Sequence, residues 1–322
     1  MPGSIPTAPR WPDVIKLKNN FLRGSYPPAV TPFKKGEVDY DKFAEICDYM
    51  IDNGSHGILV TGTTGEPSTL TTAERIKLYK VAVETTAGRV PVVAATGSQS
   101  LADTLELTKG AEKAGVDALL IVTPYYVRPP QRGLVEYYNT IGKKTGLPMM
   151  IYHIPGRTAV SVTLDTVAQI MDKTPHLVGI KHAVNDLGFV THALDRFGFD
   201  FRIFVGLEDL SFPMLCIGAC GLMNAVGNVQ PRKVADLYEH TVKGNIAAAR
   251  KLHYELAELN EAVFYDTNPI AIKYIMMKLG VLDKNEHRLP MVSCTPEIAA
   301  RLDGVMKRAG MTGGGKKAKK SK

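Results

Sequence analysis

Leu177-Val178-Gly179-Ile180-Lys181 is the stretch on which the reading of this chain turns. A short apolar run of this kind reads as a buried parallel strand. A lysine at its last position stands in the mouth of whatever sheet or barrel the strand belongs to. Burial lowers a lysine's pKa, because the neutral amine is easier to desolvate than the ammonium. A neutral amine condenses with ketones to form a Schiff base. By itself, a strand-end lysine more often just reaches solvent, so the surroundings must decide between the two readings.

Seven further apolar, often β-branched runs flank this one: Tyr26–Phe33, Gly57–Val60, Pro91–Thr96, Ala118–Pro124, Pro148–Pro155, Arg202–Glu208 and Gly221–Val226. Segments with helical periodicity separate them, among them Thr72–Thr86, Leu101–Ala114, Leu134–Thr145 and Leu164–Asp172. Asp39, Thr71 and Ser100 stand where helix N-caps are expected. Strand and helix alternating eight times predict an α/β protein of the (β/α)8 TIM-barrel type. A doubly wound sheet usually has fewer strands and often a Gly-rich dinucleotide turn, which is missing here. The mostly helical stretch after the eighth run predicts a C-terminal helical extension, with Pro269 suited to a first helical position. The expected organisation is an N-terminal arm over 1–24, a barrel core over 25–230, and the last barrel helix with a helical region over 231–310. A disordered lysine-rich tail is expected over 311–322.

In a barrel of this type the active site lies at the C-terminal ends of the strands. That end collects Lys181 with Thr63, Thr64, Tyr125, Tyr126, Tyr152, Arg157, Gly206 and Glu208. An imine-forming lysine needs a proton relay to expel hydroxide from the carbinolamine. Tyr152, on the neighbouring strand, suits that task, with Thr64 and Tyr126 as a hydroxyl chain to water. The bland alternative for Tyr152 is a half-buried strand tyrosine with a satisfied hydroxyl. Gly62-Thr63-Thr64-Gly65-Glu66 offers amides and hydroxyls to a carboxylate, or is simply a turn that caps the next helix. Arg157 is a natural bidentate clamp for a second carboxylate, and a surface salt bridge is its equal rival.

The net charge of +7 points to no nucleic-acid partner, because five of the positive charges are Lys316, Lys317, Lys319, Lys320 and Lys322. No aromatic-basic interleaving supports nucleic-acid binding. No apolar stretch approaches membrane-spanning length, so no membrane partner is expected. Cys47, Cys216, Cys220 and Cys294 are scattered, and the N-terminus lacks an apolar signal core; a reducing, cytoplasmic compartment is expected. Cys216 and Cys220, four apart, read as core positions of one helix rather than metal ligands.

Four ordered motifs carry a resemblance: Gly62-Thr63-Thr64-Gly65-Glu66, Val122-Thr123-Pro124-Tyr125-Tyr126, Tyr152-His153-Ile154-Pro155-Gly156-Arg157-Thr158 and Gly179-Ile180-Lys181. Asn268-Pro269-Ile270 with Lys273 adds a C-terminal signature. Over about residues 24–308 the chain resembles the pyruvate-dependent class I lyase family that contains dihydrodipicolinate synthase and N-acetylneuraminate lyase. The resemblance implies an imine between Lys181 and pyruvate or a related 2-oxo acid, with Tyr152 as acid/base. It implies that Thr64 and Tyr126 complete the hydroxyl triad, Tyr126 reaching in from a neighbouring subunit. Thr63 joins Thr64 on the pyruvoyl carboxylate, and Gly206 and Met223 line the keto-acid pocket. The family is typically a homotetramer, a dimer of dimers, that needs neither metal nor organic cofactor.

The double threonine, the Tyr125-Tyr126 pair and Arg157 resemble the synthase branch, in which the pyruvate enamine attacks L-aspartate-4-semialdehyde on the way to lysine. Other positions depart from that branch. His153 and His182 stand where it usually carries Asn and Glu, and Leu207 replaces an acidic residue. Gly206-Leu207-Glu208-Asp209 is similar to the stretch with which sugar-acid lyases hold hydroxyls, which makes Glu208 a candidate substrate ligand. The alternative activity is therefore that of a 2-keto-3-deoxy sugar-acid aldolase or dehydratase, or of another pyruvate-dependent aldolase. A non-catalytic keto-acid sensor on the same barrel is disfavoured, because Lys181 and Tyr152 are both retained.

Overall fold

The computed structural model describes residues 14–311. One sheet holds eight parallel strands: β1 (Gly24–Ser25), β2 (Ile58–Val60), β3 (Val92–Ala95), β4 (Ala118–Val122), β5 (Met149–His153), β6 (Leu177–His182), β7 (Arg202–Val205) and β8 (Gly221–Leu222). From β2 to β8 each strand pairs with the next, and β8 pairs with β1. The seam between β1 and β2 is closed by a parallel bridge from Pro28 to Leu59, with the Ala29 amide donating to the Leu59 carbonyl at 2.9 Å. The ring is therefore complete, as the alternation predicts. Gly221 permits the close β8–β1 pairing: a Cβ there would lie 2.4 Å from the Gly24 carbonyl oxygen.

A helix follows each strand: α1 (Tyr40–Asp52), α2 (Thr72–Thr86), α3 (Leu101–Ala114), α4 (Gln131–Gly142), α5 (Leu164–Met171), α6 (Leu187–Phe197), α7 (Ser211–Cys216) and α8 (Pro231–Val242). Side chains cap several of their starts. Asp39 accepts from the Lys42 amide and Ser100 from the Asp103 amide, and Thr71 forms a reciprocal capping box with Glu74. Three more helices complete the C-terminal extension: α9 (Ile246–Ala262), α10 (Ile270–Lys278) and α11 (Pro296–Arg308).

Strand periodicity divides the core in two. Leu59, Val93, Leu120, Met150, Val178 and Phe204 fill the barrel interior. Their alternates Ile58, Ala94, Ile121, Ile151 and Val205 pack outward against the helices, as does Ile180, which follows the register shift between β5 and β6. At the N-terminal end of the barrel, the fully buried Arg202 donates to the carbonyls of Lys18, Phe21 and Asp200. It fixes the start of the chain across the face opposite the site. Among the described residues no helix is long and apolar enough to cross a membrane.

Three local expectations need correction. The first strand is Gly24–Ser25 and not Tyr26–Phe33. Pro27, Pro28 and Pro32 have no amide to donate, so the run breaks into a loop and a small hairpin of Phe33–Lys34 with Glu37–Val38. Cys216 and Cys220 do not share a helix: Cys216 ends α7 and is exposed, while Cys220 is buried beyond a turn at Gly218. Pro269 is the N-cap of α10 and not its first helical residue. Beyond Met311, the lysine-rich tail lies outside the described residues.

Candidate active site

Lys181 and Tyr152 are register partners on β6 and β5, one residue before each strand ends. Side chains on paired strands at equal register share a face, so both point into the barrel mouth. The Lys181 Nζ lies 4.3 Å from the centre of the Tyr152 ring. Only 3% of Lys181 is exposed, and its Nζ makes no hydrogen bond or ion pair among the described residues. Gly206, one residue past β7, leaves room for it. A Cβ there would stand 3.1 Å from the Lys181 Cε and 2.8 Å from the Ala183 Cβ. The lysine stem therefore passes over a position that only glycine fills without displacement. Above it opens a cavity of about 530 Å³ lined by Tyr152, Thr63, Thr64, Gly206, Glu208 and Met223, among others.

The threonine loop follows β2 as a 3₁₀ turn over Thr63–Gly65, with Glu66 held at a φ of 54°. Its two hydroxyls have different partners. Thr63 Oγ1 lies 3.4 Å from the Tyr152 hydroxyl, whereas Thr64 Oγ1 accepts from Asn268 Nδ2 at 3.1 Å. In this chain the threonine hydroxyl that faces Tyr152 is that of Thr63 and not that of Thr64. In so tight a turn, consecutive side chains diverge, and only the first faces β5. The amides of Thr63 and Thr64 donate to no protein acceptor among the described residues.

Behind the turn, Glu66 anchors the loop to the C-terminal extension. Its Oε1 accepts from the fully buried Lys273 of α10 at 2.8 Å, and its Oε2 lies 3.3 Å from His287 Nδ1. The Lys273 Nζ also donates to the Thr31 carbonyl at 3.0 Å and to the Glu286 carbonyl. Burial pulls the Lys273 pKa down and Glu66 pulls it up. Removing one partner from such a pair strands a buried charge. Sequence reading marked Lys273 as part of a signature and gave it no role. One cation inside Ile270-Ala271-Ile272-Lys273-Tyr274-Ile275 was the signal that it needs a buried anion.

The remaining candidates fall into two groups. Arg157, on a one-turn helix over Pro155–Thr158, lines the cavity and an adjoining one of about 220 Å³ that Tyr125 also lines. Its guanidinium has no hydrogen bond or ion pair among the described residues. Tyr126 is not brought to Tyr152: it points away from its own chain, 88% exposed, with a φ of 70°. Glu208 is buried, and its Oε1 accepts from the amides of Ala225 (2.5 Å) and Val226 (3.4 Å), while its Oε2 is buried without a partner. Burial raises its pKa to about 7. Sequence reading marked Asn268 as part of a signature without placing it at the pocket and missed Phe264, Asp266 and Thr267, which line the cavity with it from between α9 and α10.

A lysine without a hydrogen bond or ion pair stands beside a tyrosine at the C-terminal end of the barrel, and comparison with known proteins gives the family. A model of the dihydrodipicolinate synthetase family matches residues 21–309. The chain belongs to the dihydrodipicolinate synthetase family. It is 41% identical over 291 residues to the 4-hydroxy-tetrahydrodipicolinate synthase of Thermus thermophilus, covering 90% of this chain and 97% of that protein. Identity to the synthase of the same name from Aquifex aeolicus is 37%, covering 89% and 97%. The crystal structure of dihydrodipicolinate synthase from Aquifex aeolicus superposes with a TM-score of 0.88 at 36% identity, covering 90% of this chain and 98% of that one. That from Thermotoga maritima gives 0.87 at 36%, covering 91% and 100%.

Within this family frame the two histidines that follow the catalytic candidates lie outside the pocket. One position on from Tyr152 and Lys181, His153 and His182 point outward, as strand alternation requires. Their Nδ1 atoms are 3.3 Å apart, His182 stacks on Phe189 of α6 at 4.5 Å, and both Nε2 atoms are buried without partners. Burial pushes both pKa values down to about 4, against the pull of Asp186. Between pH 6.5 and 4 the unfolded chain takes up protons that the folded pair refuses, so stability falls as pH drops through that window. Glu208 acts the other way, since its folded carboxyl holds a proton at higher pH than the unfolded one. The comparison that isolates the pair is the melting temperature of wild type against His153→Asn/His182→Gln. Wild type is expected to fall more steeply with acid. Parallel slopes would place the titration elsewhere.

Proposed function

We propose that this chain is a 4-hydroxy-tetrahydrodipicolinate synthase, condensing pyruvate with L-aspartate-4-semialdehyde through a Schiff base on Lys181. The single observation that carries the mechanism is the unpartnered Lys181 amine against Tyr152 in a glycine-floored pocket. The relatives that share the family and the near-full-length match support the substrate pair.

In this reading the free backbone amides of Thr63 and Thr64 donate to the pyruvate carboxylate. The Lys181 nitrogen attacks the C2 carbonyl, and the carbinolamine loses water to give the imine. Tyr152 protonates the departing hydroxide and then accepts a proton from the adjacent methyl as the enamine forms. The Thr63 hydroxyl holds the phenol and passes the proton on. Tyr126, exposed on its own chain, completes this relay from a second subunit of a homotetramer. The enamine carbon attacks the aldehyde, whose carboxylate Arg157 clamps. Met223 and Gly206 shape the keto-acid side, and Glu208 braces the turn after β8 beside it. The enzyme works in the cytoplasm on soluble substrates and recruits neither metal nor organic cofactor.

The test is a turnover assay in which pyruvate is offered with L-aspartate-4-semialdehyde, and 2-keto-3-deoxy sugar acids are offered in parallel. Efficient condensation with the semialdehyde is the expected result. Pyruvate trapped by borohydride without that condensation, together with cleavage of a sugar acid, would move the function to the lyase branch.

A further inference from the structure

Resting on the function proposed above, we infer that Asp266 is the subsite for the substrate's ammonium group, so that the pocket selects an α-amino-acid aldehyde over a simple one. Four charged residues line the cavity over Lys181: Lys181 and Glu208 are buried, whereas Arg157 and Asp266 reach solvent. Arg157 comes from the loop after β5, and Asp266 comes from the segment between α9 and α10. Neither forms an ion pair among the described residues. Asp266 spends Oδ1 on the Thr267 amide at 2.7 Å, which fixes the carboxylate and leaves Oδ2 free.

The chain just C-terminal to Asp266 is anchored twice. Two residues on, Asn268 donates to Thr64 on the catalytic loop. Five residues beyond that, Lys273 is locked to Glu66 on the same loop. Asp266 is thus positioned relative to the threonine turn and the lysine, and not left on a free surface loop. A carboxylate without a cation and a guanidinium without an anion line the same cavity, which matches a ligand that carries both charges. An α-amino acid end group is the small ligand with that pattern. With its carboxylate on Arg157 and its ammonium on Asp266, the aldehyde end is left to point down toward Lys181. The C-terminal extension then has a part in the chemistry, because it brings in the residue that recognises the second substrate.

The test uses the full chain, L-aspartate-4-semialdehyde as substrate, and succinic semialdehyde, its analogue without the amino group, as competitor. Asp266→Asn keeps the shape and the Thr267 contact and removes the charge. It is expected to raise KM for aspartate semialdehyde by roughly tenfold, the scale of one charge-assisted hydrogen bond. The inhibition constant of succinic semialdehyde is expected to stay unchanged. Arg157→Ala is expected to raise both constants, since both molecules bear the carboxylate. If Asp266→Asn moves the two constants equally, or moves neither, the subsite is overturned while the synthase reading stands. If wild type traps pyruvate on Lys181 but does not turn over aspartate semialdehyde, the functional reading itself fails and the subsite falls with it.

Discussion

Lys181→Ala protein mixed with pyruvate and borohydride is expected to acquire no covalent adduct, whereas wild type is labelled at one lysine. Imine formation needs an amine that can present its lone pair to a carbonyl in a confined site. Among the described residues two lysines are buried, and they are in opposite situations. Lys273 is fully enclosed and spends its ammonium protons on Glu66, Thr31 and Glu286. Lys181 is nearly as buried, makes no hydrogen bond or ion pair among the described residues, and opens into the cavity. Label should therefore map to Lys181 and not to Lys273. Turnover of the alanine variant should drop by on the order of 10⁶, the scale for removing a covalent nucleophile. Lys181→Arg keeps the charge and most of the length but cannot form the imine, so it should be equally inactive. An adduct that persists in Lys181→Ala, mapped to another lysine, would sink the assignment.

How much of this was legible in the sequence depended on how local the determining physics was. The barrel was readable because each parallel strand is buried on both faces and leaves a continuous apolar run, as in Leu119-Leu120-Ile121-Val122. Lys181 and Tyr152 were readable because strand ends fix the height of a side chain in a barrel. The first strand was misplaced because its pairing with β8 and the closing bridge to Leu59 are tertiary, and Tyr26–Phe33 looks more strand-like than Gly24–Ser25. The choice between Thr63 and Thr64 turned on the dihedrals of a single turn, which adjacent identical residues cannot reveal. Asp266 and the Lys273–Glu66 anchor were unreadable for a different reason. Lys273 and Asn268, which follows Asp266 by two residues, bond to Glu66 and Thr64 some 200 positions away in the chain, and only the docking of the extension brings this segment to the mouth.

Tyr152→Phe separates binding from proton transfer, and its expected result is a protein that still binds and traps pyruvate but turns over roughly 10²–10⁴ more slowly. The aromatic ring is retained, so the packing beside Lys181 and the 4.3 Å contact to its Nζ survive. Only the hydroxyl is lost, and with it the group facing Thr63 at 3.4 Å. Each step after carbonyl attack moves a proton, from expulsion of water to enamine formation, so the loss should appear in kcat and not in KM for pyruvate. The two threonines then provide a sharper comparison. Thr63→Val removes the hydroxyl that faces the phenol and should slow turnover in the same sense. Thr64→Val removes the acceptor for Asn268, so it should loosen the segment that carries Asp266 and raise KM for the semialdehyde instead. A Thr64→Val variant that loses kcat as Tyr152→Phe does, with Thr63→Val unaffected, would return the relay to Thr64 and show that the hydroxyl pairing of the free chain is rearranged when substrate binds.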